Sequence, residues 1–280
     1  MSNRERWPKE MLPVQIGDAS LTLAYCQRPG TGPPVLLLHG MGASRLTFWP
    51  WMQRTRVKNS LWALDLPGFG ASSLPRRRQT LSDLVAAAWA FAETVAPGRR
   101  WIWVGHSMGG MVAGELAIVH REASRGVIFI AAAGLIAPEN TFTPTPWVWV
   151  NRLGIWWTST AWVGSRILRG LGVDPARLAP EDRARLRYGW RAAREMARMG
   201  AFYEAPRLWE RLLATGVPVE AIWGDRDVIF PLEKVRARVG AALAVAVMPG
   251  AGHLPMDSDP ACFDNLLTQA IERLSREGSD

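Results

Sequence analysis

The amino-acid sequence predicts an α/β protein: a mostly parallel sheet covered by helices on both faces, with a helical segment inserted late in the chain. Three observations carry that prediction. Short, continuous apolar runs alternate with longer helical patterns through most of the 280 residues. One such run, Trp101–Val104, passes directly into Gly105-His106-Ser107-Met108-Gly109-Gly110 and then into a helical stretch rich in small residues, 111–120. The alternation breaks between 135 and 215 and resumes at Val217.

Taken in order, Val14–Ile16 and Leu21–Gln27 read as short strands joined by the turn signal Gly17-Asp18, and Arg28–Pro34 reads as a loop from its Pro and Gly content. Val35-Leu36-Leu37-Leu38 has the unbroken apolar character of a parallel strand buried on both faces. It ends in His39-Gly40-Met41-Gly42, and Leu46–Arg54 follows as a helix. Leu61–Asp65 is the next strand, closed by Leu66-Pro67-Gly68-Phe69-Gly70, which can continue neither a strand nor a helix. Thr80 with Asp83 three residues on forms a capping box for a helix to Val95, with Leu81, Leu84, Val85, Ala88, Ala92 and Val95 on one face. Val127–Ala131 and Val217–Trp223 are further strands. A helix over 232–239, a strand at Ala244–Val247 and an amphipathic helix from Asp259 to Ser275 complete the pattern.

Residues 1–134 and 216–280 therefore form the expected core, and 135–215 an inserted cap or lid. Hinge-like sequence bounds it, Gly134 with Pro138 on one side and Gly216-Val217-Pro218 on the other. The insertion holds five tryptophans within 147–163, namely Trp147, Trp149, Trp156, Trp157 and Trp162. It also carries arginines at helical spacing, Arg183, Arg187, Arg191, Arg194 and Arg198, which read as a solvated face. Contact with an anionic substrate, or with a phospholipid membrane surface through the cap, is the other reading of these arginines.

Composition narrows the class. A 48% hydrophobic and 21% charged chain is ordinary for a globular protein with a sizeable core. The net charge of +8 is mostly dispersed arginine with no nucleic-acid module beside it, so no nucleic-acid partner is expected. Cys26 and Cys262 read as buried free thiols. The N-terminus lacks an apolar signal region, and the apolar run at 147–163 is broken by Asn151-Arg152 and Gly154. A cytoplasmic protein without a transmembrane segment is the expectation. The four histidines lack metal-ligand spacing and the cysteines are isolated, so neither metal nor organic cofactor is expected.

The chemistry centres on G-x-S-x-G between a strand and a helix. Serine on so sharp a turn needs strained backbone angles, and the flanking glycines remove side chains that would collide with neighbouring elements. A serine hydroxyl is a weak nucleophile and requires a base, an orienting acid and donors for the oxyanion. Of the four histidines, His39 and His106 belong to the strand-end motifs and His120 ends a helix. His253, in the loop after the last strand, emerges on the same sheet edge as Ser107 and is the base candidate. The acid should come from another strand-end loop between them in chain order, where Asp225 and Asp227 both stand.

Together these motifs resemble the α/β-hydrolase superfamily. His39-Gly40-Met41-Gly42 is similar to its oxyanion loop, Asp65–Gly70 to its strand-4 loop, and Gly105–Gly110 to its nucleophile elbow. Gly224-x-x-Asp227-x-x-x-Pro231 is similar to its acid loop, and Gly252-His253 to its histidine loop. The resemblance implies Asp227, not Asp225, as the acid, and a cap between the sixth and seventh strands. It implies attack by Ser107 on a carbonyl, His253 as general base and then acid, and backbone N–H groups of Met41 and Met108 as oxyanion donors. The substrate class it implies is a small-molecule carboxylic ester. The cap tryptophans point to an apolar acyl or alcohol group, with packing of the cap as their other reading. A carbon–carbon bond hydrolase acting on a diketone-type substrate is the alternative within the superfamily, and a non-catalytic ligand-binding protein the alternative outside enzymes.

Overall fold

The computed structural model describes residues 8–139, 161–176, 178 and 207–276. Among the described residues, eight strands form one sheet in the order β1-β2-β4-β3-β5-β6-β7-β8. They are β1 (Glu10–Ile16), β2 (Ala19–Arg28), β3 (Gly32–Leu38), β4 (Asn59–Leu64), β5 (Trp101–His106), β6 (Ser124–Ile130), β7 (Val219–Gly224) and β8 (Val245–Met248). β2 pairs antiparallel with β1 and β4, and every later pairing is parallel.

The parallel strands read as uninterrupted apolar runs because each face has its own layer of helices. Side chains alternate across a strand with period two. Leu36, Leu38, Trp101, Trp103, Val127, Phe129 and Trp223 thus join one core, with α2 (Leu81–Val95), α3 (Met108–Val119) and α6 (Leu232–Val239). Val35, Leu37, Ile102, Val104, Ile128, Ile130 and Ile222 join the other, with α1 (Trp49–Arg54) and α8 (Pro260–Arg276). Each such side chain, fully removed from water, contributes about 1.5–3 kcal/mol of hydrophobic stabilisation.

Local chemistry explains where elements start and stop. The capping box at Thr80 forms: the Asp83 amide donates to Thr80 Oγ1 at 3.2 Å and the Thr80 amide to Asp83 Oδ2 at 2.8 Å. The helix expected over Leu46–Arg54 is divided instead. A 3-10 turn, Arg45–Thr47, precedes α1, because Pro50 has no N–H to give and is tolerated only in a first helical turn. The loop expected over Arg28–Pro34 is shorter, since the Thr31 and Gly32 amides both reach the Lys58 carbonyl at 2.8 Å and start the β3–β4 pairing early. Both cysteines are free, Cys26 fully buried and Cys262 only partly.

Within the 135–215 stretch the structure describes residues 135–139, 161–176, 178 and 207–215, and two helices fall among them. α4 (Ala161–Gly170) runs into the turn 171–176. α5 (Leu208–Leu213) packs on α3: Leu208 and Leu212 are buried, and Arg211 forms a bidentate pair with Glu115 at 2.6 and 2.8 Å. Gly134 (φ 94°) and Gly216 (φ 70°), at the two ends of the stretch, take left-handed conformations that favour glycine. Trp147, Trp149, Trp156 and Trp157 and the arginine series 183–198 lie outside the described residues, as does the side chain of Trp162. No helix among the described residues is long and apolar enough to cross a membrane.

Candidate active site

The strand order fixes where a site can form. β3 lies between β4 and β5, so the chain leaves β3 toward one neighbour and later returns on its other side. Loops at the C-terminal ends of β3 and β5 therefore diverge and open a crevice at that switch point. The loop beginning His39-Gly40-Met41 follows β3, and Ser107 follows β5.

Ser107 stands at φ 51°, ψ −120°, a conformation that costs a non-glycine residue about 1–3 kcal/mol. The surroundings hold it there. The Ser107 amide donates to the Ile130 carbonyl at 3.0 Å, and its own carbonyl accepts from the Gly110 and Ala133 amides at 2.9 Å. A Cβ on Gly105 would stand 2.1 Å from the Gly109 carbonyl oxygen, and one on Gly109 would stand 2.2 Å from the Leu38 oxygen. Both glycines of the elbow are thus required by backbone approach.

Three side chains from three strand-end loops meet in one hydrogen-bonded chain. His253 Nε2 lies 3.1 Å from Ser107 Oγ, and His253 Nδ1 lies 2.9 Å from Asp227 Oδ2. A carboxylate can only accept, so Nδ1 carries the proton and Nε2 is left as acceptor toward the serine hydroxyl. Asp227 Oδ1 accepts from the Ile229 and Phe230 amides at 2.8 and 3.0 Å, which sets the carboxylate's orientation. His253 and Asp227 are both buried. Asp225, the other aspartate of that loop, is exposed and accepts from the Gly250 amide at 2.7 Å, bracing the base of the histidine loop.

The two candidate oxyanion amides are oriented through the carbonyls that share their peptide planes. Gly40 carbonyl accepts from His39 Nδ1 at 2.7 Å and from the Ala43 amide at 3.1 Å. In a trans peptide the N–H points opposite to the C=O, so anchoring that carbonyl turns the Met41 N–H the other way. The Ser107 carbonyl, held by Gly110 and Ala133, does the same for the Met108 N–H. Met108 opens α3, where an amide has no acceptor within the helix and the dipole favours negative charge. A Cβ on Gly40 would lie 3.1 Å from Ser107 Cβ, so this loop runs directly beside the serine.

Buried polar groups brace the loops. His39 Nε2 accepts from the Leu66 amide at 3.0 Å, which fixes its Nδ1–H tautomer, and burial holds its pKa below the ordinary histidine value. Asp65 is fully buried, accepting from Arg45 Nη1 at 2.7 Å and from the Ala71 amide at 2.8 Å. Removing one partner of such a pair costs about 3–5 kcal/mol.

One contact was not foreseen from the sequence. The turn after α4 lies against the histidine loop: a Cβ on Gly172 (φ 84°) would stand 2.5 Å from the Gly252 amide nitrogen, and one on Gly252 would stand 2.2 Å from the Leu171 oxygen. Ser258 Oγ, on α7 (Pro255–Ser258), donates to the Gly172 carbonyl at 3.0 Å. The 135–215 stretch therefore touches the residue before His253, backbone against backbone.

Comparison with known proteins agrees with this architecture. Residues 35–262 match the model of a family described as the alpha/beta hydrolase family. An uncharacterized protein of Mycobacterium tuberculosis is 25% identical over 271 residues, spanning 87% of this chain and 76% of its own. A pimeloyl-[acyl-carrier protein] methyl ester esterase of Yersinia enterocolitica is 26% identical over 267 residues, spanning 85% of this chain and 93% of its own. Among solved structures, a thermophilic esterase from Thermogutta terrifontis superposes with a TM-score of 0.76 at 21% identity, covering 96% of this chain and all of that one.

Proposed function

The chain belongs to the alpha/beta hydrolase family, and from that premise we propose that it is a serine hydrolase of carboxylic esters with an apolar acyl or alcohol group. The observation that carries this reading is the continuous hydrogen-bonded chain from Asp227 through His253 to Ser107, on a strained elbow at the sheet's switch point. The sequence likeness to an ester hydrolase, the methyl ester esterase of Yersinia enterocolitica, supports the reaction class.

In the proposed mechanism Ser107 Oγ attacks the ester carbonyl carbon while its proton passes to His253 Nε2. The carbonyl π electrons move to oxygen, and the Met41 and Met108 amides receive the oxyanion. Each such donor is worth about 10²–10³ in rate. Collapse of the tetrahedral adduct breaks the bond to the alcohol oxygen, which takes the proton from His253. Water then repeats the sequence on the acyl-enzyme, with His253 again as base, and releases the acid and free Ser107. Asp227 keeps Nδ1 protonated and stabilises the imidazolium that forms in each half-reaction.

A fluorophosphonate probe tests the assignment. Stoichiometric labelling of Ser107 at neutral pH, with p-nitrophenyl ester turnover abolished in Ser107→Ala, is the expected result. Labelling at another serine, or folded protein that neither labels nor turns over esters, would favour a ligand-binding role on the same fold.

A further inference from the structure

His106, between Gly105 and Ser107 of the elbow, is a buried imidazole that takes no part in the mechanism above. By the period-two rule it shares the face of Ile102 and Val104, toward which Ala251 of the histidine loop also packs. Its Nε2 lies 2.8 Å from the backbone carbonyl oxygen of His253. A carbonyl accepts only, so Nε2 carries the proton and Nδ1 is a bare acceptor. Nδ1 is buried without a partner among the described residues, next to Gly40, where a Cβ would lie 2.8 Å from it. A buried polar group kept with one nitrogen unsatisfied calls for an explanation beyond packing.

We propose that His106 is a positioning residue for His253. Its Nε2–H anchors the His253 carbonyl, so that consecutive elbow residues hold one histidine at two points, residue 106 its backbone and residue 107 its ring. This rests on the assignment of His253 as base. The geometry gives the arrangement its purpose. His253 sits on a loop whose neighbouring residue, Gly252, is in contact with the inserted stretch, so motion there would reach the base. The bond from His106 ties that base to β5, the strand that carries the nucleophile, and makes the 3.1 Å Oγ–Nε2 separation a property of the core. Burial, with the neighbouring His253 adding to it, holds the His106 pKa down to about 3. The anchor therefore stays a neutral donor and places no positive charge beside an imidazolium whose ring centre is 5.1 Å away.

The test compares His106→Gln, which keeps a side-chain N–H donor, with His106→Met, a chain of similar length that has none; His106→Leu replaces Met should that variant misfold. Misplacing a reacting group by about 1 Å costs about 10²-fold, so kcat of His106→Met should fall by about 10–100-fold with KM nearly unchanged, and His106→Gln should recover most of it. Ring-¹⁵N histidine NMR supplies a readout independent of turnover. The His253 Nδ1–H resonance, identified by its loss in Asp227→Ala, should broaden in His106→Met and return in His106→Gln. Equal kcat in the Gln and Met variants, or an unchanged resonance in His106→Met, overturns the proposal. A wild-type protein without ester turnover overturns the reading of function instead, and the resonance still decides the role of His106.

Discussion

Asp227 and His253 are joined at 2.9 Å through one carboxylate oxygen, while the other oxygen is held by two backbone amides, Ile229 and Phe230. The division of labour has a direct consequence. In Asp227→Asn the amide oxygen takes over the contacts with Ile229 and Phe230, which need an acceptor. The NH₂ group is then turned toward His253 Nδ1, which must become an acceptor in turn. The ring proton moves to Nε2, and the base is lost with the geometry intact. We expect kcat to fall by about 10⁴, the size of the same change in a Ser-His-Asp protease. Among the described residues the Asp225 carboxylate accepts only from the Gly250 amide, so Asp225→Asn should lower stability modestly and leave most of kcat. Steady-state kinetics and thermal melts of both variants check the ranking. The reverse order would assign the acid to Asp225.

Much of this was legible in the sequence because the signals are local. Val35–Leu38 and Trp101–Val104 announce buried strands by composition alone. Gly105 and Gly109 announce a backbone approach that leaves no room for a Cβ. Thr80 and Asp83 announce a cap within one turn. The rest depends on contacts between distant segments. Spacing alone does not separate Asp225 from Asp227; what separates them is that His253 Nδ1 lies 2.9 Å from Asp227 Oδ2, while Asp225 Oδ1 accepts from the Gly250 amide at 2.7 Å. Gly172 meets Gly252 through main chain, which leaves no side-chain pattern to read. The bond from His106 to the His253 carbonyl joins residues 147 apart and is equally silent. Pro50 was readable in principle, since a proline so close to a helix start limits how far upstream that helix extends.

His39 and His106 should make the fold sensitive to acid. Both are fully buried, and burial lowers both pKa values, that of His106 to about 3. In the unfolded chain each takes up a proton as pH falls through about 6.5. Between that value and the folded pKa the unfolded state binds more protons, so stability decreases as pH falls and is regained as pH rises. At full effect a single site contributes about 1.4 kcal/mol per pH unit. His106→Gln removes one such site. Its stability, from urea denaturation at a series of pH values between about 4 and 7, should fall less steeply toward acid than that of the wild type. Parallel curves would mean that His106 titrates alike in both states.

We propose that the 135–215 stretch is a cap over the substrate. Its first and last described pieces leave and rejoin the core at Gly134 and Gly216, and its middle touches the histidine loop through Gly172. The stretch leaves the core after β6, at the edge that carries Ser107, and a segment departing there either covers the site or stands beside it. Covering it would set Trp147, Trp149, Trp156, Trp157 and Trp162 against the acyl or alcohol chain of an ester. Burial of apolar surface stabilises by about 25 cal/mol per Å², so each added CH₂ contributes up to about 0.8 kcal/mol, nearly fourfold in kcat/KM. We therefore expect kcat/KM for p-nitrophenyl esters to rise from acetyl to at least hexanoyl. Tryptophan fluorescence should also change when a slow-reacting alkyl phosphonate occupies Ser107, and that change should diminish as these tryptophans are replaced singly by phenylalanine. Preference for acetyl over every longer ester, with no fluorescence response, would mean that the indoles only pack the segment onto the core and that the ester's acyl chain lies elsewhere.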